Sequence, residues 1–560
     1  MKRFRVVLTL ILVFGLVFGM FVGCGQTQQS ETGQNQDQGQ QQPTEMVLRY
    51  NLGAEPETLD PAKATGVPEM TVMLHTFDGL TRLDTDGKPQ PAVAESWDIQ
   101  DNGKTYIFHL RKDVKWSDGK PVTAHDFEYA WKRALSPEIA SEYAYQLYYI
   151  KNGEKYNTGE ITDPNEVGVK ALDDYTLKVE LEQPAPYFLS LVAFPTLYPL
   201  PKHVLESHPD WPKGIDKDPS LYVTNGPFVL AEWSHHDKIV LKKNPNYFDK
   251  DKVKLDKLVF YMVEDANTAV QMFENGEVDV IDTIPTAQID QWKGKPEYRV
   301  DPILGTYYIL VNVGSDKTMS GDKNPLLDVR VRKAIAMAIN RSVITDKILK
   351  GGQQPAYAFV PPGIPDAKPG TDFRKVGGNF FTEDIQKAKQ LLAEAGYPDG
   401  KGFPKLLYLY NTSEGHKKIA EAVQNMLKEN LGIDMELQNQ EWKVYLQSRN
   451  EGQFDLARAG WLGDYVDPMT FLDMFVSTSG NNDTGWSNPQ YDELIEKAKY
   501  ETDNAKRVEY MHQAEKILME DMPIIPLYFY TQPRLVKTYV KNYAAISLGW
   551  IDFKEAYIQK

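Results

Sequence analysis

The sequence predicts a mixed α/β chain that folds as several lobes, and three observations support this. The chain has 560 residues, which is too many for a single hydrophobic core, and this length favours about three or four domains or lobes. Residues 68–202 are rich in alternating, strand-like segments, whereas residues 305–531 alternate regularly between helix and strand patterns. Residues 532–560 are aromatic and charged without a core of their own, which predicts that they return to complete an earlier lobe.

The amino terminus predicts export. An apolar run from Val6 to Gly23 follows three basic residues and ends just before Cys24, the only cysteine. This pattern resembles a bacterial lipoprotein signal, in which residues 1–23 are removed and the cysteine is lipidated, although Phe21 stands where an aliphatic residue is preferred. An uncleaved membrane anchor is the alternative. In both cases the bulk of the chain lies outside the cytoplasmic membrane, and a single cysteine allows no internal disulfide.

The first elements follow a polar, low-complexity segment at 24–44, which is typical of a flexible tether. Folding should begin near Met46, where residue types alternate as in a strand. Asn102-Gly103 between two alternating runs predicts a β-hairpin, and Thr123 opens a helical pattern. Further strand and helix patterns follow at 175–181, 238–243, 266–275 and 278–282.

The second half alternates helices and strands more regularly. A helical pattern at 382–396 has Thr382 as its expected N-cap and Gly396 at its end. Other helices are predicted at 329–339, 416–431, 442–449 and 504–520. Strands are predicted at 433–437, 454–461 and from Ile524.

The stretch from Arg458 to Pro468 stands out as a candidate binding segment at a strand-to-helix junction. It sets Arg458 and Asp464 beside Trp461 and Tyr465. Asp467 before a proline is a good N-cap for the next helix, which leaves Asp464 without a capping role. A zwitterion such as a free peptide needs both charges, although the two residues pairing with each other is the alternative.

Catalytic and metal motifs are missing from the sequence. It has no Gly-x-Ser-x-Gly elbow, His-Glu-x-x-His pair, phosphate loop or Gly-x-Gly-x-x-Gly, and neighbouring His235-His236 favour a solvated loop over a metal site. The carboxylates select no catalytic pair, so a hydrolase stays only an alternative. The formal net charge of −16 argues against nucleic acid. We therefore expect a binding protein without cofactor or metal.

Several blocks resemble the extracellular oligopeptide-binding proteins of ABC transporters, within the peptide/nickel group of solute-binding proteins. Ala94-Glu-Ser-Trp and the run from Asp101 to Phe127 carry the signature of that group. Further group blocks begin at Thr224, Asp328 and Ala393. The oligopeptide branch is indicated by Tyr410-Asn-Thr-Ser-Glu-Gly-His-Lys-Lys, Asn439-Gln-Glu-Trp-Lys and Ala457-Arg-Ala-Gly-Trp-Leu-Gly-Asp-Tyr.

The resemblance implies roles for particular residues. Asp464 takes the ligand's α-ammonium, Arg458, Arg449 and His416 are candidates for its carboxylate, and Glu55 faces its backbone. Side-chain pockets are expected to be walled by Trp442, Tyr307, Tyr308 and Tyr530, and Tyr143 or Tyr145 to close the cavity. A cysteine pair of some relatives is replaced by Gly305 and Leu462, so packing alone holds that end.

The resemblance also implies a two-lobed, periplasmic-binding-protein-like fold of type II, with a ligand cleft between the lobes and an extra β-rich domain. We name lobe I (45–67, 203–304 and 532–560), domain II (68–202) and lobe III (305–531). The implied function is a monomeric, lipid-anchored protein that captures short peptides and delivers them to ABC permease subunits. An oligosaccharide-binding protein of the same fold is the nearest alternative, and a peptide sensor or holdase without a transporter is another.

Overall fold

The computed structural model describes residues 45–85, 87–208 and 210–559. The predicted signal, Cys24 and the tether lie outside these residues. Among the residues described, none of the helices combines the length and apolarity needed to cross a bilayer.

The strands fall into one large sheet and several small ones. In chain order they are β1 (Val47–Asn51), β2 (Thr81–Leu83), β3 (Pro89–Pro91), β4 (Ala94–Gln100), β5 (Thr105–Leu110), β6 (Val169–Asp173), β7 (Thr176–Glu180), β8 (Phe228–Ser234), β9 (Lys238–Lys243), β10 (Lys257–Tyr261), β11 (Val280–Ile281), β12 (Tyr298–Val311), β13 (Gln354–Pro355), β14 (Leu406–Asn411), β15 (Met435–Gln440), β16 (Leu456–Leu462), β17 (Ile524–Val536), β18 (Val540–Lys541), β19 (Ala544–Ala545), β20 (Ile551–Asp552) and β21 (Tyr557–Ile558).

The α-helices include the predicted ones, several short additional ones, and two longer helices that were not predicted, α1 and α14. They are α1 (Val67–Thr76), α2 (Ala124–Leu135), α3 (Gly153–Asn157), α4 (Phe188–Leu191), α5 (Lys202–Leu205), α6 (Ala266–Asn275), α7 (Ile289–Trp292), α8 (Val329–Ala338), α9 (Phe373–Gly377), α10 (Ile385–Glu394), α11 (Glu414–Leu431), α12 (Trp442–Asn450), α13 (Met469–Leu472), α14 (Pro489–Tyr500) and α15 (Asn504–Asp521). The segment Val343–Leu349 forms a π-helix.

The large sheet runs through lobes I and III. Its order is β15-β14-β16-β12-β17-β11-β1-β10-β9-β8, and β13 pairs with β17. The antiparallel strands β12 and β17 cross the predicted boundaries at 304/305 and 531/532. They therefore correspond to the two crossing segments that the resemblance implies.

Domain II has its own four-stranded sheet, β4-β5-β7-β6. The predicted hairpin forms β4 and β5, with Asn102 and Gly103 both at positive φ in the turn. The predicted helix forms as α2, where the Thr123 N–H donates to the Asp126 carboxylate at 2.8 Å. Phe127 and Trp131 of α2 are fully buried, so the helix supplies part of the core of domain II.

The carboxyl-terminal segment completes an earlier part of the molecule, as predicted. Val536 at the end of β17 pairs with Val280 of β11. Asp552 forms an ion pair with Arg82 at 2.9 Å, and Lys554 forms one with Asp249 at 2.9 Å. The two ion pairs join residues more than three hundred positions apart, so this segment depends on the rest of the chain for its fold.

One local prediction was wrong. The N-cap of α10 is Asp384, whose carboxylate accepts from the Lys387 N–H at 2.9 Å, and not Thr382. Both residue types are good N-caps. The N-cap is therefore the residue whose side chain the backbone places within reach of the free N–H groups of the first helical turn.

Candidate ligand-binding cavity

A cavity of about 350 Å³ lies on the crossing strands, between lobes I and III and domain II. Its volume falls in the usual range for ligand pockets. Nine of the twelve predicted ligand-binding residues line it. They are Asp464, Arg458, Arg449, His416, Trp442, Trp461, Tyr308, Tyr530 and Tyr143.

Asp464 is a buried carboxylate at the end of β16, with only 5% of its surface exposed. Its Oδ2 accepts from Gln146 Nε2 at 2.8 Å and from the Thr470 hydroxyl at 3.3 Å. Within the described part of the chain, no Lys, Arg or His forms an ion pair with it. Burial and the neighbouring Asp473 raise the pKa of Asp464 well above its usual range. A ligand cation would relieve this desolvated charge.

Arg458 carries a charge opposite to that of Asp464, and it also has no ion-pair partner among the described residues. Its Nη2 lies 3.4 Å from the Tyr530 hydroxyl, and its guanidinium lies over the Tyr307 ring at 5.2 Å. The buried Nε has no hydrogen-bond partner in the described structure. Arg458 and Asp464 do not pair with each other, so the two buried charges are open to a ligand.

The other two predicted cations have different surroundings. Arg449 Nε lies 2.6 Å from Oδ2 of Asp483, and both side chains are largely buried, so this guanidinium is already neutralised. Burial and then the nearby charge of Arg458 hold the pKa of His416 well below its usual range. His416 is therefore neutral and offers a hydrogen bond rather than a charge. Arg458 is left as the uncompensated cation of the three.

Aromatic side chains from different parts of the chain form the walls. Trp461 stacks on Tyr143 of domain II at 6.1 Å, and its Nε1 donates to the Thr470 carbonyl at 2.7 Å. Trp442 at the start of α12 stacks on Tyr445 at 5.9 Å. The Tyr530 ring and hydroxyl lie directly against Gly460, where a Cβ would collide with them. These walls are large, flat surfaces with a polar tip.

Three predicted site residues do not line the cavity. Tyr465 is fully buried, and its ring stacks on Tyr187 of domain II at 4.6 Å. Tyr307 lies one layer behind the wall, stacked on Tyr528 at 4.7 Å beneath Arg458.

Glu55 is the third of these residues. Its carboxylate accepts from Trp233 Nε1 at 3.1 Å and the His236 N–H at 3.0 Å, and it contacts the imidazole of His235. Sequence position alone did not show that these lobe I partners surround it. No group of three or more residues suited to a metal occurs among the described residues, including this cluster.

Several cavity residues were not predicted. Asp483, Asn411, Phe194 and Trp550 line the cavity, and Asp483 pairs with Arg449. Gln146 does not line the cavity, but it donates a hydrogen bond to Asp464. The loop around Asp483 and the domain II segment around Gln146 carry no motif, and their approach to β16 is visible only in three dimensions. Gly305 and Leu462 are direct register partners in β12 and β16, so packing joins these strands at the cavity edge.

The chain is similar to known proteins over most of its length. The family model of the bacterial extracellular solute-binding proteins, family 5 Middle, matches residues 88–483. The chain belongs to this family. The oligopeptide-binding protein OppA and the dipeptide-binding protein DppE, both of Bacillus subtilis, are each 39% identical to it, with 100% and 99% of both chains covered respectively. These matches confirm the resemblance noted in the sequence.

Solved structures of the family share the fold and distinguish two arrangements of the lobes. Haemophilus influenzae OppA in complex with RPPGFSPFR has a TM-score of 0.84 at 37% identity, with 92% of this chain and 99% of that chain covered. The Escherichia coli murein tripeptide binding protein MppA gives 0.85 at 36% identity, covering 92% and 99%. An unliganded open form of MppA gives 0.60 at 37% identity, covering 92% and 98%. The fold is thus the type II periplasmic-binding-protein fold of this family, and its lobe arrangement is more similar to the first two structures than to the unliganded open form.

Proposed function

We propose that this chain is an extracellular, lipid-anchored solute-binding protein that captures short peptides and delivers them to an ABC import permease. The observation that carries the proposal is the pair of buried, mutually unpaired charges, Asp464 and Arg458, in one aromatic cavity. A free peptide brings an ammonium and a carboxylate, so it satisfies both charges at once.

The relatives support a peptide as the ligand. Listeria monocytogenes OppA and Haemophilus influenzae OppA were both solved with a bound peptide. In this chain Asp464 would pair with the peptide's α-ammonium and Arg458 with its carboxylate, while neutral His416 donates or accepts a hydrogen bond. Side chains of the peptide would lie against Trp442, Trp461 and Tyr530. All the named relatives are binding proteins, which supports a function without catalysis.

Binding of a peptide is coupled to closure of the lobes around the cavity. Gln146 of domain II donates to Asp464, and the Tyr149 hydroxyl donates to Asp473 at 3.1 Å. Lys418 of lobe III donates to the Thr286 hydroxyl of lobe I at 2.8 Å. These contacts exist only when the lobes meet around the cavity. A peptide entering the open cleft therefore favours the closed form, which a permease would recognise as loaded.

The rival ligand is an oligosaccharide, which would use the same aromatic walls but has no ammonium for Asp464. The test is calorimetry of tri-alanine binding to wild type and Asp464→Ala. We expect a loss of about 2 kcal/mol or more, because the ligand's desolvated ammonium loses its partner. Asp316→Ala, an exposed aspartate away from the cavity, should bind as wild type does.

Unchanged tri-alanine affinity in Asp464→Ala would contradict the assignment. Binding of maltotriose in place of the peptide would favour the sugar-binding alternative. Conversion of either compound to products, detected by mass spectrometry, would favour a secreted hydrolase.

A further inference from the structure

A second, polar cavity adjoins the first. It has a volume of about 540 Å³ and lies where domain II meets lobe III. Asp483 lines both cavities, so the Arg449–Asp483 ion pair forms the boundary between them. We call the second cavity the polar groove. Its side chains are carboxylates and amides, namely Glu142, Asn312, Asn450, Glu451, Asn482 and Asp483.

Glu142 and Glu451 both lack a counter-ion among the described residues, and Glu142 is the less exposed of the two. Its Oε1 accepts from Asn450 Nδ2 at 2.8 Å, but its Oε2 is buried with no hydrogen-bond partner among the described residues. Burial raises the pKa of Glu142 to about 7, even though Arg449 nearby acts in the opposite direction. Since Asp483 already neutralises Arg449, the carboxylates of Glu142 and Glu451 remain without a compensating cation in the groove.

The backbone holds Glu142 closely in place. Gly480 packs on it so tightly that a Cβ there would lie 2.8 Å from both the Cα and the carbonyl oxygen of Glu142. The approach of two chain segments thus holds the backbone of Glu142, and the hydrogen bond from Asn450 holds its carboxylate. The carboxylate is not the end of a freely moving surface side chain.

The groove lies next to the proposed ammonium site. Glu142 and Gln146 belong to the same short segment of domain II, and Gln146 donates to Asp464. Tyr143 of that segment lines the main cavity and stacks on Trp461. A group that enters the groove from the main cavity therefore comes from the amino end of a bound peptide.

A cationic side chain fits the groove better than a metal ion. The amide and carboxylate oxygens accept hydrogen bonds, and Glu142 supplies an uncompensated negative charge. A metal ion prefers several charged ligands, but no cluster of three such residues occurs in the described parts of the chain, and Asp483 is held by Arg449.

We propose that the polar groove is a subsite for a basic side chain, lysine or arginine, at the first or second residue of a bound peptide, with Glu142 as its counter-ion. This inference rests on the proposed peptide-binding function and adds a side-chain preference to it. The preference arises because an ammonium in the groove pairs with a largely buried carboxylate that otherwise has the Asn450 hydrogen bond but no counter-ion.

The test is a position scan by calorimetry with tetrapeptides of alanine that carry one lysine, each compared with its norleucine counterpart. Norleucine keeps the aliphatic stem and removes the charge. We expect wild type to prefer lysine over norleucine by about tenfold at residue one or two, and not at residues three and four. Glu142→Gln keeps the acceptor for Asn450 and should lose the preference. Glu451→Gln, at an exposed groove residue, should keep it.

The outcomes separate this inference from the proposed function. Tetra-alanine should bind wild type and Glu142→Gln equally, and a failure to bind either would contradict peptide binding itself. With tetra-alanine bound, equal affinity for lysine and norleucine peptides in wild type would overturn the subsite, as would a preference that survives in Glu142→Gln. Calcium binding to the peptide-free protein that Glu142→Gln abolishes, without a lysine preference, would assign the groove to a metal ion instead.

Discussion

At the scale of single residues, the surroundings of two arginines distinguish their roles. Arg449 and Arg458 are both largely buried and both border the cavity. Arg449 already has Asp483 at 2.6 Å, whereas Arg458 is surrounded by tyrosines with no carboxylate in the described structure. A ligand carboxylate would gain more at Arg458, because a buried unpaired charge is costly until a partner arrives.

Arg458→Gln should reduce affinity for peptides with a free carboxyl terminus by about tenfold, because a charge-assisted hydrogen bond is lost. C-terminal amides serve as the internal control, since they lack the negative charge and should bind the variant and wild type more nearly alike. Calorimetry with tri-alanine and its amide measures both. A variant that still prefers the free acid by the wild-type factor would place the carboxylate elsewhere.

At the scale of an element, α1 carries a buried acid in its first turn that contacts another lobe. Glu69 is fully buried, its Oε1 accepts from the Glu57 N–H at 2.6 Å, and it lies close to Trp442 at the start of α12. The close approach of Gly66, where a Cβ would collide with both Glu69 and Trp442, keeps this contact tight. Burial raises the pKa of Glu69 to about 7.

This raised pKa predicts a pH effect with a definite sign. Between the ordinary pKa of a glutamate and about 7, the folded protein binds more protons at Glu69 than the unfolded chain, so the unfolding free energy falls as pH rises. Glu69→Gln cannot ionise. Relative to this variant, wild type should lose up to about 3 kcal/mol of stability between about pH 5 and about pH 8.

Thermal unfolding of the two proteins across this pH range measures the effect. A melting-temperature difference between wild type and Glu69→Gln that does not change with pH would show that Glu69 stays ionised in the folded protein. Glu69→Gln retains the acceptor for the Glu57 N–H, so the comparison isolates the charge.

At the scale of the whole molecule, two strands, β12 and β17, connect lobe I to lobe III, the parts that move relative to each other when the cleft opens and closes. β12 and β17 run through both lobes as neighbours in one sheet, and β12 has irregular pairing between Pro302 and Thr306, at the lobe boundary. The TM-score is 0.85 to MppA and 0.60 to its unliganded open form, so the present arrangement of the lobes differs from that open form. Bending at this irregular region gives the lobes a route between the two forms.

Small-angle scattering of the protein should show a smaller radius of gyration when tri-alanine is added, because the lobes close on the bound ligand. Asp464→Ala at the same peptide concentration should show a weaker decrease. A radius that peptide leaves unchanged would indicate that the cleft closes without ligand.

Anchoring is a second prediction for the whole molecule. If Cys24 is lipidated, Cys24→Ser should release the protein from the membrane fraction of a bacterial host into the medium or the periplasm. Fractionation and immunoblotting measure this. A variant that stays in the membrane fraction would instead favour the uncleaved apolar segment as the anchor.

Local elements were predictable from the sequence because their signals span few residues. The hairpin at Asn102-Gly103, the helix α11 and the strand β16 follow from turn chemistry and apolar spacing. The cap of α10 shows the limit, since Asp384 and not Thr382 serves. Two charges that line the cavity, Asp464 and Arg458, were also singled out from the sequence, because a charge pair beside two aromatics is unusual within one short segment.

The sequence by itself therefore determined the order of the predicted helices and strands, the family, and the choice of Asp464 as a candidate ligand-binding residue. Only the tertiary structure decided which charges are already paired and which side chains reach the cavity. It separated Arg449 from Arg458, packed Tyr465 on Tyr187 away from the cavity lining, and brought Asp483 to the cavity and Glu142 to the polar groove from distant segments. The physical reason is that helix and strand signals act over neighbouring residues, whereas desolvation and ion pairing depend on side chains that meet only after the lobes pack together.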